Sequence, residues 1–334
     1  MLHPESETPL KVVVAGAGGF IGGWLVRRLL VAGYVVIAAD IKPFHKWHQL
    51  HDQARNLSLD LSRYTSCLEL LHGVEEVYNL AADMGGMGFI ETHKAECMLS
   101  VLINTNLLMA SRDAGVKKFF FASSACVYNA SKQDRNDIEG LREEDAYPAM
   151  PEDGYGWEKL FSERMCRHFY EDYGLETRVA RYHNIYGPNG TWEGGREKAP
   201  AALSRKVASA KINGIHQIEI WGDGEQARSF TYIDDCIEGT LRLMRSDIKE
   251  PLNIGSDEMV TINELVEILE RVAGVKLERK YNLEAPKGVR GRNSDNTRVK
   301  QLLGWAPTVT LTEGLMKTYA WIEEQVTNSP RSSV

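Results

Sequence analysis

The sequence predicts an α/β protein, a doubly wound parallel sheet joined to a smaller mixed α/β domain. Three observations lead there. Over the first 180 residues, short β-branched or aromatic runs alternate with longer helical patterns, as parallel strands covered by helices on both faces require. A turn rich in glycine separates the first run from the first helical stretch. After Arg181 the texture changes, with Gly187, Pro188, Gly190, Gly194, Gly195 and Pro200 close together. The 334 residues suit about two domains. We draw them as residues 1–180, completed by a segment near 229–250, and residues 181–330.

The expected strands of the first part are Lys11 to Ala15, Val35 to Ala39, Glu76 to Leu80, Lys118 to Ala122 and Thr177 to Ala180, short runs with β-branched or aromatic residues. Between them, Ile21, Leu25, Val26 and Leu29 mark one helical stripe, and Val101, Leu102, Leu108 and Met109 another. In the second part Ile218 to Trp221 reads as a strand and Ile262 to Ala273 as a helix. No internal repeat interrupts this order.

Composition narrows the function classes. With 43% hydrophobic and 25% charged residues the chain matches an ordinary globular enzyme. Its net charge of −7 supplies no basic field, so nucleic acid is not expected as a partner. No uncharged stretch exceeds 15 residues, the length of Val12 to Val26, too few for a bilayer, and no membrane association is expected. The acidic start, with Glu5 and Glu7, does not read as a signal peptide. Cys67, Cys97, Cys126, Cys166 and Cys236 are scattered, without a C-x-x-C pair, as in a reducing cytoplasm. His45, His48 and His51 spread around a helix without a carboxylate or cysteine to complete a set, so no metal is expected. Glu143-Glu144-Asp145 reads as a solvated loop.

The chemistry begins at Val12-Val13-Val14-Ala15-Gly16-Ala17-Gly18-Gly19-Phe20-Ile21-Gly22, a strand followed by Gly16, Gly19 and Gly22 as a helix opens. Glycines there let backbone N–H groups, including those at Phe20 and Ile21, approach a pyrophosphate on the positive helix start. Asp40 ends the next strand 24 residues after Gly16, where a carboxylate accepts from the adenosine ribose hydroxyls and disfavours a 2′-phosphate. The expected cofactor is therefore NAD. Asp60 suits either the adenine edge or the start of a helix.

A second constellation is Tyr155-Gly156-Trp157-Glu158-Lys159, whose tyrosine and lysine, four apart, share a helical face. An ammonium beside a phenol favours the phenolate, making Tyr155 a usable acid or base. Phe119-Phe120-Phe121-Ala122-Ser123-Ser124 ends a strand in hydroxyls, where parallel sheets place active sites, so Ser124 is expected to share the same substrate oxygen.

With these motifs the chain resembles the extended short-chain dehydrogenase/reductase family, which has a Rossmann-type sheet, a G-x-x-G-x-x-G turn and a Ser and Tyr-x-x-x-Lys set. Asn184-Ile185-Tyr186-Gly187-Pro188 and Arg228-Ser229-Phe230-Thr231-Tyr232-Ile233-Asp234-Asp235 look like its nucleotide-sugar segments. Ala81-Ala82-Asp83-Met84-Gly85-Gly86-Met87-Gly88, Ser123-Ser124-Ala125-Cys126, Gly194-Gly195-Arg196-Glu197-Lys198-Ala199-Pro200 and Gly288-Val289-Arg290-Gly291-Arg292-Asn293-Ser294 resemble the GDP-mannose 3,5-epimerase branch.

That resemblance implies an isomerase that oxidises C4 of GDP-mannose with NAD, inverts C3 and C5 of the 4-keto sugar, and reduces C4 again. Tyr155, Lys159 and Ser124 would serve the oxidation, with Cys126 and Lys198 as base and acid. Left to its residue type, Cys126 would be an ordinary buried core thiol. A catalytic Cys126 needs a nearby cation to form thiolate, and Lys198 needs a lowered pKa. The substrate would meet Gly85, Ser124, Asn184, Glu197, Lys198, Arg228, Arg290 and Arg292, the guanidinium groups suiting a diphosphate. The fold family further implies a homodimer. Rival readings are a nucleotide-sugar 4-epimerase or 4,6-dehydratase, and an inactive NAD-binding regulatory protein.

Overall fold

Every residue of strand β1 (Lys11–Ala15) after Lys11 is apolar and buried, so the strand has no face for water. Val12 and Val14 join the core on one side of a sheet, Val13 and Ala15 the core on the other. The same alternation runs through Lys118–Ser124, with Phe120 and Ala122 on the first side and Phe119 and Phe121 on the second. The coordinates are a computed structural model describing residues 9–286 and 288–329. Glu5 and Glu7, on which the signal-peptide reading rested, lie outside them.

Around β1 the sheet adds β2 (Val35–Asp40), β3 (Arg55–Ser58), β4 (Glu76–Asn79), β5 (Lys118–Ser124) and β6 (Glu176–Tyr182). Helices α1 (Phe20–Val31), α2 (Tyr64–Leu70), α3 (Met87–Thr92), α4 (Lys94–Ala114) and α5 (Asp153–Tyr173) connect them. The chain then passes β7 (Ile185–Tyr186), α6 (Ala199–Asn213), β8 (Gln217–Trp221), β9 (Ala227–Ser229), β10 (Thr231–Tyr232) and α7 (Ile233–Arg245) before β11 (Leu252–Ile254). β11 returns to the edge beside β6, giving a seven-stranded sheet in the order β11-β6-β5-β4-β1-β2-β3, every pairing parallel. The order reverses at β1, so the carboxyl ends of β1 and β4 open a crevice.

The remaining elements are β12 (Met259–Thr261), α8 (Ile262–Ala273), β13 (Glu278–Asn282), β14 (Gly291–Arg292), α9 (Thr297–Leu303) and α10 (Leu311–Asn328). β7 pairs with β10, β8 with β13, and β9 lies between β12 and β14. α6 packs against α8 and α10, which both begin at capping boxes, Thr261 with Glu264 and Thr310 with Glu313. Leu203, Ile218, Leu265 and Leu315 belong to the same core as Val12 and Leu25, so this smaller part is fused to the sheet.

Three expectations fail locally. Along α4 the buried side is Cys97, Ser100, Asn104, Leu107, Leu108 and Ser111, whereas Leu102 is exposed and Val101 and Met109 are half-buried. Polar groups with buried partners, such as Asn104 Oδ1 accepting from Asn79 Nδ2 at 3.0 Å, displace the apolar stripe. Glu143-Glu144-Asp145 is a 3₁₀ turn, not a solvated loop, and the Glu143 carboxylate is buried against the Asn253 N–H at 2.9 Å. Strands β3 and β11 are short edge strands that the apolar pattern does not reveal.

Asn253, on β11, ties the smaller part to the sheet. Its Nδ2 donates to the carbonyls of Leu141 at 2.8 Å and Asp295 at 3.1 Å. Its Oδ1 accepts from the Tyr128 hydroxyl at 2.5 Å and lies 2.9 Å from His183 Nε2. Asn253→Ala strands these buried groups, and we expect it to cost about 3 kcal/mol. A urea unfolding curve checks this through a lower midpoint at unchanged slope.

Candidate active site

The glycine turn sits at the crevice. Gly16 has φ +83°, and its N–H and that of Ala17 donate to the Ala39 carbonyl. A Cβ on Gly22 would lie 2.1 Å from the Gly16 oxygen, so α1 can start this close to β1 only with glycine there. No side chain caps α1, which leaves its first N–H groups available to an anion. The Asp40 carboxylate accepts from the N–H groups of Gly18 and Lys42, each at 3.0 Å, and Lys42 Nζ donates to the Gly18 carbonyl at 2.8 Å. An uncapped helix start and a carboxylate fixed beside the turn fit the diphosphate and ribose of a dinucleotide. Asp60 accepts from Ser62 N–H and Oγ, a turn leading into α2, and these bonds hold its carboxyl below the usual range.

Helix α5 carries the Tyr155 and Lys159 pair, and its position is fixed twice over. Glu163 accepts from Arg181 Nε at 2.9 Å and Nη2 at 2.7 Å and from Ser123 Oγ at 2.5 Å, all buried. At the helix start, Glu152 N–H donates to the Cys126 carbonyl at 2.9 Å, and a Cβ on Gly156 would meet that carbonyl at 2.3 Å. Lys159 is buried, its Nζ 4.7 Å from the Phe121 ring centre, 5.6 Å from that of Tyr155 and 3.4 Å from Glu158. Burial pushes the Tyr155 phenol well up, with Cys126 and Glu158 adding to it and the Ser124 hydrogen bond opposing. The lowering expected from Lys159 is not what sets this phenol: desolvation dominates, and the group opposing it is Ser124.

Ser124 ends β5, and its Oγ accepts from Cys126 N–H at 3.2 Å, capping the 3₁₀ turn Ala125–Val127 that presents the thiol. The cation bonded to the thiol is Arg292. Its Nη1 lies 3.5 Å from Cys126 Sγ, its Nη2 donates to Glu152 at 2.6 Å, and its Nε donates to Gln133 at 2.8 Å. Burial still pushes the thiol above its ordinary 9.0, against Arg292 and Lys198. Lys198 precedes α6, and burial drives it the other way, below 10.5, with the thiol opposing.

Tyr155, Ser124, Cys126, Lys198, Gly85, Asn184, Glu197, Arg228 and Arg292 all line one cavity of about 270 Å³. Several have protein partners as well. Asn184 Nδ2 donates to the Ser229 carbonyl at 2.9 Å, and Glu197 accepts from Arg205 at 2.9 Å and from Gly195 N–H at 2.7 Å. Arg228 donates to the carbonyls of Ala227 and Val289, and burial lowers it to about 9. Arg290 is not among the lining residues, and its guanidinium holds Asp223 at 2.8 Å outside the cavity. Sequence reasoning missed Glu152 and Gln133, which hold Arg292, and the lining residues Lys206 and Trp221. No local spacing marks Glu152 and Gln133, because Arg292 is 140 and 159 residues away from them.

Residues 12–255 match the NAD dependent epimerase/dehydratase family. The chain belongs to that family, and NAD is its cofactor. It is 50% identical to GDP-mannose 3,5-epimerase 1 of Oryza sativa subsp. japonica over 95% of this chain and 82% of the relative. In structure it is similar to UDP-glucose 4-epimerase of Thermotoga maritima, solved with UDP-glucose, at TM-score 0.85 and 28% identity over 95% of this chain and all (100%) of that one. It is also similar to UDP-glucuronic acid 4-epimerase of Bacillus cereus, solved with UDP-glucuronic acid and NAD, at TM-score 0.80 and 26% identity, covering 95% and 100% of the two chains.

Asp40→Ala removes the acceptor at the glycine turn. We expect NAD affinity to fall about tenfold or more, equivalent to about 1.4 kcal/mol, in a tryptophan-fluorescence titration.

Proposed function

We propose that this chain inverts C3 and C5 of GDP-D-mannose to give GDP-L-galactose, with GDP-L-gulose as the singly inverted product. The observation that carries this reading is one cavity lined together by Tyr155, Cys126 and Lys198. The 50% identity to a GDP-mannose 3,5-epimerase supports the same substrate.

The glycine turn, Asp40 and Lys159 would hold NAD, which when bound would supply the acceptor and donor of the C4 hydride. Tyr155 takes the O4 proton and returns it, with Ser124 bonded to the same hydroxyl. A ketone at C4 acidifies the hydrogens at C3 and C5. Inversion at each carbon then needs one group to remove a proton from one face of the ring and another to supply a proton on the opposite face. Cys126 and Lys198 are assigned these roles. Burial raises the thiol and lowers the ammonium, so their proton affinities move toward one another from their ordinary values. Arg228 is the cavity guanidinium assigned to the diphosphate, while Gly85, Asn184 and Glu197 border the sugar. Arg292, held by Gln133 and Glu152, serves the thiol first.

A homodimer is supported by the exposed apolar side chains Met98, Leu99 and Leu102 on α4 and Trp157 and Phe161 on α5, two helices packed side by side. A second copy of this chain would cover them. A cytoplasmic setting is supported by five cysteines that are all buried and free. Among the described residues no helix is long and apolar enough to cross a membrane.

In heavy water, the protein is expected to place deuterium at C3 and C5 of GDP-mannose without an added electron acceptor, read by NMR and mass. NADH accumulating without label would reject the assignment. Cys126→Ala and Lys198→Ala should each slow label uptake about 100-fold or more, whereas a 4-epimerase would leave both variants nearly as active as the parent. Leu99→Glu combined with Trp157→Glu is expected to convert a dimer to a monomer in sedimentation equilibrium.

A further inference from the structure

We infer that Glu152 is a positioning residue for Cys126: its carboxylate clamps the Arg292 guanidinium against the sulfur and offsets that guanidinium's charge there. The inference rests on the role proposed above for Cys126.

The geometry comes first. Arg292, on β14, is buried and held at three corners, by Gln133 through Nε, by the Cys126 sulfur through Nη1 and by Glu152 through Nη2. Its plane is therefore set by two acceptors and the sulfur together. Glu152 is itself almost buried, its side chain 10% exposed, and it also hydrogen-bonds the Cys126 thiol. Its backbone N–H holds the Cys126 carbonyl, and it immediately precedes the helix that carries Tyr155. One residue thus holds Cys126 by backbone at the carbonyl and by side chain at the thiol, and reaches the sulfur again through Arg292.

The electrostatics follow. Burial pushes the Glu152 carboxyl up, but the charge and hydrogen bonds of Arg292, with the bond to Cys126, outweigh it and hold the carboxyl below its ordinary range. The groups facing the sulfur are Arg292 from β14, Glu152 and Tyr155 from the start of α5, Ser124 from β5, Lys198 ahead of α6 and Arg228 from β9. A buried guanidinium with no counter-charge would hold the sulfur as a permanent thiolate. Such a thiolate is a weak base toward a carbon-bound proton, because basicity falls with thiol pKa. Glu152 opposes Arg292 at the sulfur while keeping it in place. The thiolate, once formed, then retains the proton affinity that deprotonation of C3 or C5 requires.

The test is the pH dependence of Cys126 alkylation by iodoacetamide, followed by peptide mass on the full chain with its NAD. Glu152→Gln keeps an oxygen for Arg292 and removes the charge. The alkylation midpoint should fall by about one pH unit or more, and the rising limb of the deuterium-uptake profile should move with it. Glu152→Asp keeps the charge and should hold the midpoint near that of the parent. An unchanged or raised midpoint in Glu152→Gln would overturn the inference, leaving Glu152 a structural strut. Should Glu152→Gln not fold, Arg292→Gln serves instead. It should raise the midpoint, and a midpoint that does not rise equally overturns the clamp. Because alkylation needs no sugar nucleotide, a shifted midpoint in protein that labels no GDP-mannose rejects the proposed function while supporting this inference.

Discussion

Burying a thiol, a lysine, a phenol and two guanidinium groups around one small cavity is the constraint on which the rest of the structure turns. Desolvation penalises the charged form of each, so it raises Cys126 and Tyr155 and lowers Lys198 and Arg228. In water the thiol and the ammonium start from ordinary values of 9.0 and 10.5. In the cavity the same burial drives them toward one another, and the Glu152–Arg292 pair decides how far the sulfur goes.

Such a site needs a stiff frame, because charges held in low dielectric are sensitive to small displacements. The frame is built from buried polar pairs. Glu163 with Arg181 and Ser123 fixes α5 to β5 and β6 behind the tyrosine. Asn253 joins β11 to the loops leading to Leu141 and Asp295, close in sequence to Arg292. The Ser124 cap and the close approach of Gly156 bring Cys126 against the start of α5. The sheet delivers β5 and the glycine turn to one crevice, and the smaller part supplies the opposing wall through Lys198, Arg228 and Arg292.

Much of this is legible in the chain itself, and unevenly so. The central strands are evident because burial on both faces leaves only apolar residues, as in Val12-Val13-Val14-Ala15 and Phe119-Phe120-Phe121. The α4 stripe misleads because Ser100, Asn104 and Ser111 are buried, while apolar Met98, Leu99 and Leu102 face outward. Glu143 reads as solvated because its partner, the Asn253 N–H, is 110 residues away. Arg290 and Arg292 look alike in sequence, yet one side chain leaves the cavity for Asp223 and the other enters it for Cys126, a divergence their spacing does not foretell, since residues two apart in an extended strand share a face.

The sequence alone determined the parallel sheet, the glycine turn with Asp40, and the residue types able to perform acid–base work, because these depend on local pattern and on motifs short enough to read in one stretch. Tertiary structure decided which of those groups share a cavity, which guanidinium serves the thiol, and that Glu152 stands beside it. Partners such as Cys126 and Arg292, 166 residues apart, meet only once the chain has folded, and their proton affinities are set by that burial.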